Sequence, residues 1–158
     1  MRIRPTVVLW CIAVITLCAI GYYFDRPIQA AASYNPKSGD PCSINMRVVT
    51  PISLTASAQL IAGTSGKQTY ICGFNADASG GTQSIALVEG TGTTCATSIA
   101  GMAGGTTAAT GWNLANQQMI MISTSNAWTL ATATAADNVC LLLSGSTQVS
   151  GFIQYVQQ

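Results

Sequence analysis

The sequence predicts an all-β fold, a jelly-roll type β-sandwich of about eight strands preceded by one N-terminal hydrophobic helix. Three observations predict it. Beyond residue 45, short β-like runs recur at intervals of roughly 8–12 residues, the spacing of sandwiches and barrels. Turn-forming clusters punctuate them: "GTSGK", "NADASGG", "EGTGTT", "TSNA", "AADN" and "SGS". No amphipathic helix of three turns occurs after Tyr34. An immunoglobulin-like sandwich fits less well, because Trp112 and Trp128 do not sit between two cysteines at the immunoglobulin spacing.

The runs, in order, are Met46–Thr50, Ser53–Ile61, Gln68–Asn75, Thr82–Glu89, Gln117–Ser123, Ala127–Ala133, Asn138–Ser144 and Gln148–Gln157. Side chains alternate across a strand. In Gln83–Glu89, Ile85 and Leu87 therefore share one face, and Ser84, Ala86 and Val88 the other. The same period places Tyr70, Cys72 and Phe74 together. The last run has Val149, Ile153 and Tyr155 on one face and Phe152 and Val156 on the other. A strand apolar on both faces is either internal to the sandwich or covered by another subunit. The stretch Ala96–Ala115, rich in Ala, Gly and Thr, reads as a helical turn and loop or as one long loop.

Residues 1–32 read as a targeting segment. Arg2 and Arg4 precede Thr6–Phe24, a run of 19 residues without a charge. Pro27 then breaks any helix, and an A-x-A pattern invites cleavage after Ala32. The run exceeds an ordinary signal-peptide core and nearly suffices to span a bilayer. A cleaved signal peptide and an uncleaved anchor both stay open, and membrane contact is expected only through residues 6–24. Residues 33–45, rich in Pro, Gly, Ser and Asn, form a linker, and residues 46–158 form the sandwich domain. The protein is expected to be exported, whether secreted, periplasmic or envelope-anchored.

From Ser33 onward there are three cations (Lys37, Arg47, Lys67) and four anions (Asp40, Asp77, Glu89, Asp137). Nucleic-acid binding needs a dense basic surface, so no nucleic-acid partner is expected. Thr, Ser, Gln and Asn fill the polar positions, a composition compatible with self-association.

Four cysteines follow the N-terminal segment: Cys42, Cys72, Cys95 and Cys140. An even number in an exported domain reads as two disulfides. Zinc is the competing reading, but the chain has no C-x-x-C and no histidine. Three pairings are open. Cys95–Cys140 with Cys42–Cys72 is favoured, because Cys95 and Cys140 flank turns and Cys42 would clamp the linker onto a strand.

Catalytic signals are weak. Without histidine, the commonest general base is missing. Asp77 and Asp137 lie in turn-like sequences. A glycosidase needs two facing carboxylates, for which Glu89 and Asp77 are the alternative pair. "GTSGKQT" departs from a phosphate loop at Ile61 and Gln68. "GTGTTC" lacks its third glycine, and the glycines at 101, 104 and 105 oppose a helix behind it. No catalytic residue, metal or cofactor is expected.

The pattern "YICGF", "IALVEGTGTTCAT", "GW", "DNVCLLLSG" and "QVSGFIQYVQQ" resembles a family of small four-cysteine β-domain proteins of phage, prophage and environmental bacteria. The resemblance spans Cys42–Gln158. It implies a jelly-roll sandwich with a structural role, such as virion decoration or a fibre tip. The leading expectation is a non-enzymatic, exported structural or surface-binding module, self-associating as a homotrimer. Its ligand would be a protein or a glycan, with Trp112 read either as a recognition platform or, in keeping with the usual burial of tryptophan, as a lid over one end of the core. A prophage virion component and a small carbohydrate-active enzyme are the alternatives.

Overall fold

The computed structural model describes residues 39–123 and 127–158. The expected signal or anchor, the Ala32 cleavage site and residues 6–24 lie outside the described residues. Among those described, no helix is long and apolar enough to cross a membrane.

The chain forms a short helix α1 (Pro41–Ile44) and strands β1 (Val48–Leu54), β2 (Ala58–Ile61), β3 (Thr69–Ser79), β4 (Gln83–Thr91) and β5 (Thr97–Ala103). A single 3-10 turn (Ala108–Thr110) precedes β6 (Trp112–Leu114), β7 (Met119–Ser123), β8 (Leu130–Ala131), β9 (Asn138–Leu143) and β10 (Gln148–Gln157). Two antiparallel sheets result. Sheet A has the order β1-β10-β3-β7, with β8 also on β3; sheet B has β2-β9-β4-β5, with β6 also on β4. The all-β sandwich is thus as the spacing predicts.

The inner faces meet in one apolar layer. Ile71, Phe74, Ile85, Leu87, Leu141 and Ile153 lie at its centre, each at most 1% exposed. Alternation in β4 turns Ile85 and Leu87 inward, as read from the sequence, while Ala86 and Val88 face out. That outer pair is not left wet, because Cys95 and Cys140 pack over it. The disulfides are Cys42–Cys72 and Cys95–Cys140, the favoured pairing.

Four of the differences from expectation concern where strands run and which way they face. The Ser53–Ile61 run is not one strand: it ends β1, crosses between sheets and begins β2. Ser57 stitches the crossing, its Oγ accepting from Leu143 N at 2.9 Å. β1 runs through Pro51, which the sequence reading left between strands. Edge strands tolerate proline because one side of the ladder faces solvent, and β1 pairs only with β10. Thr97–Ala103, read as helical turn or loop, is a strand.

The fourth difference is the face of Phe74. Tyr70 and Cys72 do not share it. The β3–β10 register slips here, with Tyr155 opposite Ile71 but Gln154 opposite Gly73. Cys72 is the extra residue, and one inserted residue reverses the parity of all that follow. Ile71 and Phe74 therefore both enter the main core, while Tyr70 and Cys72 join Cys42 and Val156 on the outside.

α1 lies in the segment read as linker. Asp40 caps it, its side chain accepting from Cys42 N at 2.9 Å, and Pro41 occupies the first turn. Cys42, within this helix, is buried and joined to Cys72 of β3.

Candidate interaction face

The outer face of sheet A holds Val49, Met119, Met121 and Phe152, four of the large apolar side chains left exposed among the described residues. Strand register sets its rows. One runs Pro51, Phe152, Asn75, Met121; its neighbours run Val49, Gln154, Gly73, Ser123 and Ser53, Ser150, Asp77, Met119. Exposure is high where apolar groups fall: Met121 61%, Val49 55%, Met119 53% and Phe152 36%. Asp77 is the one charged side chain in these rows. Asn75 sits at the centre, its Oδ1 accepting from Phe152 N at 2.8 Å and its Nδ2 near Met119 Sδ at 3.8 Å. The Cys42–Cys72–Val156 cluster covers one end of the face with the chain's own α1. Nothing among the described residues covers the rest.

Such a face cannot steer a charged ligand, because it has almost no field to offer. It can bury thioether, aromatic and aliphatic surface against a flat partner, and methionines adapt readily to such contacts. The alternation in "QMIMIS" carried the signal: a methionine at every second position of an edge strand faces out. Sequence reading placed the strand but not its position in the sheet.

Of the residues singled out from the sequence as recognition or catalytic candidates, Asp77 lies on this face, and Trp112 and Glu89 lie elsewhere. Trp112 is half-buried, its indole stacked on Phe74 with centroids 6.4 Å apart and planes at 25°. Gly104, at φ 80°, lies against the same indole, where a Cβ would come within 3.0 Å of Cδ2. Trp112 closes an end of the core. The exposed tryptophan is Trp128, 47% exposed and edge-on to Tyr70 at 6.0 Å.

Asp77 is in β3 and not in a turn; "NADAS" continues the strand. Glu89 is in β4 of the other sheet, only 4% exposed, and its Oε2 accepts from Ala133 N at 2.7 Å. The two carboxylates do not flank one sheet end. Burial pushes the Glu89 carboxyl above its ordinary range; the Ala133 hydrogen bond opposes this and nearby Asp137 adds to it. A raised carboxyl pKa means the folded state binds more protons than the unfolded chain. The contribution of Glu89 to stability is therefore full below 4.5 and lost as pH rises through its raised value. Glu89→Gln keeps an acceptor for Ala133 N and removes the charge. It should melt higher than the parent at pH 7 and show a flatter profile above pH 4.5 in thermal melts. Equal pH slopes for both proteins would rule out burial as the dominant cause.

Among the described residues no group of three or more His, Cys, Asp or Glu side chains could hold a metal ion. "GTGTTC" forms a turn, with Cys95 N donating to Gly92 O at 3.1 Å, and a strand follows it where a phosphate loop would open a helix. Two disulfides suit an oxidising compartment. No family model, curated protein or solved structure matches the chain, and the functional reading therefore rests on this geometry.

Proposed function

We propose that the chain is an exported, non-enzymatic structural module, a disulfide-stapled jelly roll that associates with copies of itself through sheet A. The observation that carries the reading is the exposed, nearly uncharged outer face holding Val49, Phe152, Met119 and Met121. Exposed apolar side chains gathered on one sheet face, as here, are a common mark of an interaction surface. A second copy is the occupant because the strand rows of this face hold one carboxylate and no cation with which to select a charged partner. The basic and apolar N-terminal pattern and the two disulfides support export, with either fate of residues 1–32.

Strand pairing supports the jelly-roll assignment. The first strand pairs with the last, β1 with β10, and the second with the last but one, β2 with β9. Successive strands β1 to β4 alternate between the sheets. A long hairpin rolled into a double sheet has this nesting, and such folds recur in viral capsid and lectin domains. That recurrence favours a virion component as the second reading, and mass spectrometry of induced particles tests it.

Sedimentation velocity on the full chain tests the first reading. The parent is expected to associate at micromolar concentration. Phe152→Ser, which removes the central aromatic group of the exposed face, should weaken association roughly tenfold, the effect of losing about 1.4 kcal/mol of apolar contact. A parent that stays monomeric through the micromolar range would overturn it.

A further inference from the structure

We propose that β7 is a strand-addition edge whose partner is β7 of a second copy, paired antiparallel about a two-fold axis at Met121. The inference rests on the self-association reading and adds an edge contact to it: pairing at β7 lengthens sheet A sideways and leaves Val49 and Phe152, on β1 and β10, to the face contact.

A sheet edge presents a row of unpaired N–H and C=O groups, which proteins normally blunt with proline, charge, bulges or short strands. Three of the edges here carry such a device. β1 contains Pro51. β2 has 4 residues and slips register between Gln59 and Ile61. β5 slips twice against β4. β7 has none of these. Its register with β3 is unbroken from Gly73–Ser123 to Asp77–Met119, and "MIMIS" contains no proline and no charge. β8 reaches β3 only at Tyr70 and Ile71.

The hydrogen-bond phase shows which groups β7 turns outward. Bonded and non-bonded pairs alternate along an antiparallel ladder. Ala78 N donates to Gln118 O at 3.2 Å. Counting from there, Ile120 and Ile122 spend their backbone groups on β3, and Met119, Met121 and Ser123 direct theirs to the open side. The far side of β3 agrees. Phe152 N points at Asn75, at 2.8 Å from its Oδ1, as it does when the Asn75 backbone faces β10. Asn75 therefore faces away from its β7 partner, Met121.

A two-fold axis at Met121 brings the outward groups of each copy together. Met121 pairs with Met121 of the second copy, and Met119 with its Ser123. On the inner face Ile120 meets Ile122 of the second copy. Those isoleucines are only half-buried in one chain, and pairing would extend the apolar layer over them. No charge lies on the strand, so the axis brings no like charges together. The near-palindromic M-I-M-I-S pattern matches itself in this register, which selects a second copy over an unrelated extended peptide. Such an edge closes at two subunits, so this contact builds a two-fold pair and not the three-fold assembly the sequence suggested.

Hydrogen exchange by NMR on the full chain, at rising protein concentration, tests the pairing. The amides of Met119, Met121 and Ser123 are expected to slow by roughly tenfold or more as the protein associates, while those of Ile120 and Ile122 stay protected throughout. Met121→Pro removes only an outward N–H and should raise the dissociation constant roughly 100-fold with little change in melting. Met121→Lys, which puts like charges on the axis, gives the same result without a backbone change. If the chain associates but the three amides exchange at monomer rates, β7 pairing is overturned and self-association stands. If it is monomeric at every concentration, both fall.

Discussion

Replacing Cys95 and Cys140 together with alanine should cost the domain about 4 kcal/mol and lower Tm by about 15 °C. The bond spans a sequence separation of 45, so cutting it frees a long loop in the unfolded chain. The folded state loses contacts as well. Both sulfurs are fully buried with Ala86 and Val88 on the outer face of sheet B. The bond also fixes Cys95 at φ 54°, a left-handed conformation that non-glycine residues avoid. Without it the Gly92–Cys95 turn has no covalent hold on β9. The Cys42–Cys72 bond spans 30 residues and should contribute about 3.5 kcal/mol on the same reasoning. It ties down only α1, however, so its loss should fray that end and leave the sandwich cooperative. Circular-dichroism melts of the two double variants, beside the reduced parent, check both. A Tm loss under about 3 °C for Cys95→Ala with Cys140→Ala would show that packing alone holds the turn.

The sheet-forming segments were legible because period-2 patterning and turn residues are local properties. β4, β7, β9 and β10 follow their sequence patterns closely, and the positions of turns favoured, among three open pairings, the cysteine pairs that form. What could not be read were features decided by neighbours. Pro51 looks like a strand breaker until β1 proves to be an edge. "NADAS" looks like a turn until β3 proves long enough to pair with both β10 and β7. In "YICGF" nothing local announces the bulge. Cys72 must leave the core to meet Cys42, and only the extra residue lets Phe74 return to it. The interaction face was hidden for the same reason. Met119, Met121, Val49 and Phe152 are distant in sequence, and only strand order places them on one surface. β5 escaped because Thr97–Ala103 is poor in the residues that favour strands; it is held by pairing with β4.

Phe74→Ala is the other substitution expected to have a large effect, lowering stability by about 3–5 kcal/mol. Phe74 is 1% exposed, and neighbouring strands limit how far the core can collapse into the space it leaves. Its stacking on Trp112 makes the same experiment a test of what Trp112 does. As a lid on the core, Trp112→Ala should cost about 2 kcal/mol, less than a fully buried aromatic because part of the indole is already wet. The two losses should not add. Stacked aromatic pairs couple by about 0.5–1.5 kcal/mol, so the double variant should be less destabilised than the sum of the single variants by that amount. A recognition platform behaves differently: truncating it spares Tm, leaves no coupling to Phe74 and weakens a ligand. Denaturant unfolding of Phe74→Ala, Trp112→Ala and the double variant separates the two roles without any ligand in hand. Additive losses would detach Trp112 from the core and leave it the recognition role, the other of the two readings its sequence offered.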